Sequence, residues 1–182
     1  MQAALTVLGR RRVHEEKTDF IDLRHTDLRG ADLVDAMLDH VDMSNCLLQA
    51  ASFYRASLRC AQFSEADMTD AFLGDTQIDG AKFISSDMTR VSLWKAEGSG
   101  VDFTSADMGK VTLVRADLPR ASFLHASLNK AHIEAANLQD ADFRNADLRT
   151  AKGITSNILE SAICNDDTLL PESSAENSEA EG

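Results

Sequence analysis

The sequence from Ala121 to Leu148, ASFLHASLNKAHIEAANLQDADFRNADL, places an alanine at every fifth position. A large apolar residue follows each of these alanines two places later. A period of five fits neither the α-helix, which repeats every 3.6 residues, nor the flat strand, which repeats every two. The backbone must therefore turn once in every five residues.

This five-residue unit repeats 26 times between residues 21 and 150 without insertion or deletion. The third position is Leu, Ile, Met or Phe in 25 units, and the first position is Ala in 17. Side chains two apart in extended backbone point the same way, so these two positions face inward together. The fourth and fifth positions then form the corner, where Pro119, Gly30, Gly80 and Gly100 suit a turn.

The number of corners in one coil follows from the spacing of the larger side chains. Phenylalanine recurs at intervals of twenty, at Phe63, Phe83, Phe103, Phe123 and Phe143. Twenty residues make four units, so the sequence predicts an all-β solenoid with square coils. At a coil spacing of about 4.8 Å, the 26 units give about 6.5 coils and a rod about 31 Å long.

The units ADL, ASF, ANL and ADF resemble those of the pentapeptide repeat family, over residues 21–150. This resemblance implies a right-handed quadrilateral β-helix, and the hand comes from the resemblance alone. It also implies that the aspartate found at the second position in 11 units has a structural role. The acidic column at Asp67, Asp87 and Asp107 is therefore not by itself taken as a binding site.

Solenoid ends expose unpaired edges and need caps. Residues 1–20 lack the period and are predicted to form an N-terminal cap or a linker. Residues 151–170 are predicted to form a helical cap with Thr155 as N-cap, because Ile158, Leu159, Ala162 and Ile163 have helical spacing. Residues 171–182 are polar and acidic and are predicted to be a disordered tail.

Gly98 is the only departure from the apolar third position. It leaves either a void in the core or a local inward shift of the backbone. The shift would create a dent on the outer surface, which is either a tolerated defect or a ligand pocket.

Charge and cysteine content limit the classes of partner and compartment. A formal net charge of −12 argues against direct nucleic acid binding, which requires a basic surface. Cys46, Cys60 and Cys164 are odd in number and lack metal-type spacing, so we interpret them as reduced thiols. The apolar run Ala3 to Leu8 is far shorter than the roughly 20 residues of a spanning helix. We therefore expect a soluble, cytoplasmic chain without membrane insertion.

No catalytic, cofactor-binding or metal-binding residues are predicted. The five histidines are His14, His25, His40, His125 and His132. Apart from His14, which precedes the repeats, they fall at corners or outward positions, where a solvated role is expected. Phosphate-binding glycine loops and triad-like spacings are absent from the sequence, and a square rod offers no cleft for catalysis.

Exposed apolar residues instead predict a protein interaction surface. One face carries the only Tyr and the only Trp at fourth positions. Its predicted surface residues are Val34, Tyr54, Phe72, Trp94 and Val114. Aromatic patches of this kind mark protein contacts, so we expect a rigid, non-catalytic scaffold for an unidentified protein partner. Formation of a homodimer is left open.

A second function comes from the family resemblance. Some family members imitate duplex DNA in size and charge, bind type II topoisomerases such as gyrase and alter quinolone sensitivity. Here the repeats carry 20 acidic and 13 basic residues, a net charge of −7. Duplex DNA bears about 18 charges over the same rod length of about 31 Å. The charge therefore favours the scaffold over DNA mimicry.

Overall fold

The computed structural model describes residues 21–172, and the predictions for residues 1–20 and 173–182 lie outside this range. Residues 21–150 form the predicted solenoid of square coils. The second residue of each unit pairs with the residue twenty positions later through a parallel β-bridge, from Asp22 and Asp42 onward to His132 and Lys152. We number the coils from coil one, residues 21–40, to coil six, residues 121–140.

Large third-position side chains fill the interior in vertical columns. The rings from Phe63 to Phe143 stack at centroid separations of 5.0, 5.2, 5.1 and 4.9 Å. Phe53 meets Phe63 edge-on at 5.8 Å and so joins two columns. Two buried hydroxyls at first positions, Thr76 and Ser86, each donate a 2.7 Å hydrogen bond to the carbonyl three residues earlier. These two buried hydroxyls are thereby satisfied.

Corners place the fifth residue in the left-handed region of backbone space. Of the 26 fifth residues, all but Thr150 have φ between +53° and +65°. The carbonyl of the third residue accepts from the N–H of the next first residue, as between Leu28 and Ala31 at 3.0 Å. A positive φ at the third residue of such a four-residue turn is the mark of type II. Glycine fits this position, as at Gly30, Gly80 and Gly100, but most corners hold other residues.

Backbone hydrogen bonds join each coil to the next. Leu23 N donates to Asp42 O at 2.8 Å, Asp42 N donates to Ile21 O at 2.9 Å, and His25 N donates to Ser44 O at 3.2 Å. The N–H of the fourth residue has no place in this ladder. The second-position aspartate accepts it, as Asp87 Oδ1 does from Thr89 N at 2.9 Å.

This contact explains the frequent aspartate in physical terms, because a buried or half-buried N–H without a partner is costly. It recurs at the second positions Asp22, Asp27, Asp32, Asp42, Asp67, Asp87, Asp102, Asp107, Asn137, Asp142 and Asp147.

Gly98 shifts inward and leaves no void. A Cβ atom at this position would lie 2.7 Å from the carbonyl carbon of Ile78 and 2.9 Å from Ile78 Cγ1. The backbone of Gly98 thus occupies the space that a large side chain takes in other coils. Its N–H still donates to Asp117 O at 2.9 Å, so the ladder continues through the shift.

After coil six the chain begins a further coil at residue 141, and helix α1, Ser156–Ser161, takes the place of its fourth side. The prediction was correct for its start, because Thr155 caps it by accepting from Ile158 N and Ile158 is buried. It was wrong for its end: Ala162 and Ile163 lie beyond the helix. Ile163 instead forms a parallel bridge with Asp142.

Leu169 forms another such bridge, with Asp147. The chain after the helix therefore supplies hydrogen-bond partners to the open edge of the preceding coil.

The left-handed corner predicts how Ala135 responds to substitution. Ala135 is an exposed fifth residue with φ +59°. A β-branched side chain is strained there, so Ala135→Val should lower the free energy of unfolding by about 1 to 2 kcal/mol. Ala135→Gly should change it by less than about 1 kcal/mol, since relief of strain is offset by greater entropy of the unfolded chain. Urea unfolding measures both values.

Ser92→Val is the matched control, because Ser92 is a second residue in a bridge, where β-branched residues are favoured. Equal destabilisation by valine at positions 92 and 135 would contradict the role assigned to the corner.

Candidate protein interaction surface

One outer edge of the solenoid carries a vertical series of apolar side chains. The fourth residues of this face in coils one to five are Val34, Tyr54, Gly74, Trp94 and Val114. Val34 is 39% exposed, and Tyr54, Trp94 and Val114 are half-buried. The ladder sets their separation at one coil, about 4.8 Å. The backbone therefore fixes the order and spacing of these side chains.

Phe72 completes the series at coil three. It is a second residue, 39% exposed, and its ring lies across Gly74. A Cβ atom at position 74 would lie only 2.7 Å from Phe72 Cζ. The ring centroids of Phe72 and Tyr54 are 5.6 Å apart.

Phe72 thus occupies the space above the glycine. We call Val34, Tyr54, Phe72, Trp94 and Val114 the aromatic column.

Two cations cover the large rings of the aromatic column. Arg55 Cζ lies 5.0 Å from the Tyr54 ring centroid. Lys95 Nζ lies 4.5 Å from the Trp94 ring centroid. Arg55 also forms a bidentate pair with Asp35, at 2.7 and 2.6 Å. These cation–π contacts leave part of each ring open to solvent.

Charged residues flank the aromatic column at the fifth positions. In coils one to five they are Asp35, Arg55, Asp75, Lys95 and Arg115. A hydrogen bond with Asp75 is the largest of the causes that raise the pKa of Tyr54 above its ordinary value. The phenol therefore holds its proton to a higher pH than an ordinary tyrosine does.

Sequence reasoning missed Met37, which is 45% exposed. It is the second residue of the adjacent face in coil one, three residues after Val34. The five-residue period assigns second positions to the outside, so an apolar residue there was the available signal. Met37 extends the apolar surface around the corner.

The inward shift of Gly98 leaves a shallow depression of about 240 Å³ on the adjacent face. Its polar lining includes Arg59, Asp79, Glu97 and Asp117. Arg59 pairs with Asp79 at 3.5 Å and with Asp39 at 3.8 Å. Opposite charges therefore compensate one another in part of the depression.

Aspartate and arginine two residues apart form exposed pairs near both ends of the rod, with the closest contacts at 2.6 to 2.8 Å. These pairs are Asp22 with Arg24, Asp27 with Arg29, Asp142 with Arg144 and Asp147 with Arg149. Hydrogen bonds from the guanidinium lower the pKa of each aspartate, in the case of Asp22 to about 2. Solvent exposure limits their effect on stability, but they neutralise negative charge at both ends.

Within residues 21–172, no group of three or more His, Cys, Asp or Glu side chains has an arrangement that could hold a metal ion. The same part of the chain has no helix with the length and apolarity needed to cross a bilayer.

The Tyr54–Asp75 contact predicts an elevated phenol pKa. Asp75→Ala should lower the pKa of Tyr54 towards about 10, because the acceptor and its negative charge are removed. In the native chain this contact stabilises the fold at pH values below the ordinary tyrosine pKa. Its contribution is lost as the pH rises through the raised pKa of Tyr54 in the folded chain. Phenolate absorbance reports the titration without ambiguity, since Tyr54 is the only tyrosine.

Asp140→Ala is the matched control, an exposed fifth residue on another face. It should leave the Tyr54 titration unchanged. An identical titration curve for native protein and the Asp75 variant would exclude the contact.

Comparison with solved structures shows a shared fold. The plasmid-mediated fluoroquinolone resistance protein QnrB1, in a trypsin-treated form, matches with a TM-score of 0.54 and 14% identity, covering 81% of this chain and 91% of that chain. A pentapeptide repeat protein of the Arabidopsis thaliana thylakoid lumen is 28% identical, covering 69% of this chain and 70% of that chain, with a TM-score of 0.37.

HetL, a pentapeptide repeat protein involved in heterocyst differentiation regulation in Nostoc sp. strain PCC 7120, is 21% identical over 93% of this chain and 91% of its own, with a TM-score of 0.25. No curated protein sequence matches the chain.

The sequence itself matches the family model for pentapeptide repeats in eight copies. The matched ranges are 19–53, 46–83, 56–94, 99–134 and 116–152. Together with the four units per coil and the β-bridges at intervals of twenty, these matches confirm the fold expected from the sequence. The chain belongs to the pentapeptide repeat family and forms its right-handed quadrilateral β-helix.

Proposed function

We propose that this protein is a rigid, non-catalytic scaffold that binds a protein partner through the aromatic column. The observation that carries the proposal is the contact between the Tyr54 ring and the Phe72 ring, which lies over Gly74, with Trp94 one coil further along the same face. Exposed aromatic residues in a contiguous patch provide most of the binding energy in protein interfaces. The column offers three of them on neighbouring coils.

Preorganisation supports binding by this surface. Successive coils are joined by backbone hydrogen bonds of 2.7 to 3.2 Å, so the spacing between Tyr54 and Trp94 is fixed before any partner arrives. The ring of Phe72 is held against Tyr54, and Lys95 lies over Trp94. Little conformational entropy is lost when such a surface binds, which favours affinity.

A non-catalytic role is supported by the distribution of titratable groups. His25 and His125 lie at corners of the Phe face, His40 at a different corner, and His132 on the face of the aromatic column. A general base and a nucleophile must lie within hydrogen-bond reach of each other. His25 and His125 share a corner column but lie five coils apart, and His40 and His132 lie on other parts of the rod.

We also propose a cytoplasmic location. Cys46 is buried, and its thiol donates a 2.9 Å hydrogen bond to the carbonyl of Leu23. This contact uses the reduced S–H group, the form that the cytosol maintains.

DNA mimicry receives less support from the surface. The carboxylates of Asp67, Asp87 and Asp107 accept hydrogen bonds from their own backbone. Arg90 lies on the same side and pairs with Asp70 at 2.6 Å. The net charge of −7 over residues 21–150 is less than half of the roughly 18 charges on duplex DNA of equal length.

Substitution of Tyr54 and Trp94, two half-buried rings of the aromatic column, tests the scaffold proposal. Immobilised protein carrying Tyr54→Ala and Trp94→Ala should lose at least about ten-fold of its specific partner, since each buried aromatic anchor contributes 2 kcal/mol or more. Quantitative mass spectrometry of proteins captured from a lysate measures the loss.

Ile84→Ala with Leu124→Ala is the matched control. These residues are also half-buried fourth residues two coils apart, but they lie on the Phe face. Circular dichroism checks that both double variants are folded. Retention of every captured protein by the Tyr54 and Trp94 variant would rule out the aromatic column as the contact surface.

A supercoiling assay with purified gyrase tests the second function. We expect neither inhibition nor protection from quinolones at micromolar protein, because the acidic surface is interrupted by paired cations. Inhibition of gyrase that persists in the Tyr54 and Trp94 variant would replace the scaffold proposal with DNA mimicry.

A further inference from the structure

The charges beside the aromatic column alternate in a way that fits a second copy of this chain. From coil one to coil four the fifth residues are Asp35, Arg55, Asp75 and Lys95. We propose that the partner bound by the aromatic column is another copy, packed face to face and antiparallel. This inference rests on the proposed function, because it uses the same surface and names its occupant.

Two-fold symmetry determines which columns meet. An axis that lies in the contact plane and crosses the rod at a right angle reverses the order of the coils. The same rotation keeps each column of side chains at the same distance from the corner of the rod, so that a column faces the identical column of the other copy. Fourth residues therefore face fourth residues of the other copy, and fifth residues face fifth residues.

One antiparallel register pairs opposite charges across four coils. With the axis between coils two and three, Asp35 faces the partner's Lys95, and Arg55 faces the partner's Asp75. Symmetry repeats both pairs, so the interface contains four attractive contacts. Complementary charges of this kind fix the register of an interface.

Neighbouring registers place like charges together. An axis at coil two sets Arg55 against the partner's Arg55 and Asp35 against the partner's Asp75. An axis at coil three sets Asp75 against the partner's Asp75 and Arg55 against the partner's Lys95, and these like charges oppose the attraction between Asp35 and the partner's Arg115. Parallel packing about an axis along the rod would carry the fifth-residue column to the opposite edge of the face, so these charges would not meet. Like charges at close range are unfavourable, so the four-coil register is selected.

The same register also matches the apolar residues. Val34 faces the partner's Trp94, and Tyr54 faces the partner's Phe72. At the second positions Asp32 faces the partner's Ser92, whose hydroxyl can donate a hydrogen bond to the carboxylate. Val114 and Arg115 lie outside the four coils that meet.

The contact area indicates a weak dimer. Four coils extend about 19 Å along the rod, and the contact is about one face wide. Such an interface falls at or below the low end for specific complexes, about 1,200 Å² in total. We expect a dissociation constant on the order of 10 to 100 μM, because interfaces of about 1,600 Å² already extend to micromolar values and this one is smaller.

Sedimentation equilibrium of the full chain across micromolar concentrations tests the dimer. Trp94 is the only tryptophan and lies in the proposed interface, so its emission should shift with the same concentration dependence. Trp94→Ala should weaken dimerisation at least about ten-fold. A native chain that stays monomeric up to about ten times the expected dissociation constant would overturn the proposal.

Exchange of charges tests the register itself. In the Lys95→Glu variant the new carboxylate faces the partner's Asp35, and in the Asp35→Lys variant the new ammonium faces the partner's Lys95. Each variant alone should therefore be monomeric, because like charges meet. Mixed together they should form a heterodimer, because each substituted residue then meets an opposite charge. Failure of the mixture to associate, with both variants folded by circular dichroism, would overturn the register.

Arg115→Glu is the matched control, since it reverses a charge in the same column outside the four coils. It should dimerise as the native chain does, and loss of its dimer would also overturn the register.

The two proposals fail separately. If the chain sediments as a monomer but captures a different protein, and this capture requires Trp94, the scaffold function is kept and the dimer is excluded. Loss of dimerisation in the Trp94 and charge variants, without any other captured protein, would identify the second copy as the occupant.

Discussion

The hydrogen-bond ladder between successive coils is the constraint on which the rest of the structure depends. Three of the five N–H groups in a unit donate to a neighbouring coil, and a fourth closes the corner turn. The remaining one, at the fourth residue, is accepted by the second-position aspartate in many units. Because a buried backbone group without a partner is costly, the unit has little freedom in length or shape. A five-residue unit whose backbone N–H groups all have partners can be repeated from coil to coil without change.

Stacking converts a sequence interval of twenty into vertical contact. Inside, it stacks one phenylalanine ring over another with centroids 5.0 to 5.2 Å apart, which excludes water from the core. Outside, it aligns surface residues in straight columns whose members lie one coil apart. A repeat protein of this kind forms a regular display surface. The aromatic column and the alternating charges beside it result from the stacking of coils and not from any single loop.

The corner conformation carries a cost that the ladder offsets. Residues other than glycine lose about 1 kcal/mol in the left-handed region, yet residues such as Arg115 and Lys130 adopt it here. Each corner brings the next first and third residues into the core and the next donors into the ladder. A single corner would be unfavourable by itself, but it is stabilised when coils lie above and below it. The fold is therefore cooperative along the rod.

The sequence by itself determined the inward columns through its period of five. The recurrence of phenylalanine every twenty residues added the square coil and the face that Tyr54 and Trp94 share. Tertiary structure decided the placement of the Phe72 ring across Gly74, since a side-chain conformation is set by the space that its neighbours leave. It also decided between a void and an inward shift at Gly98, where the backbone moved against Ile78.

The end of α1 likewise could not be predicted from helical spacing. Ile163 departed from that pattern because the preceding coil presents an open edge of donors and acceptors, and Ile163 pairs with this edge, as Leu169 does further along.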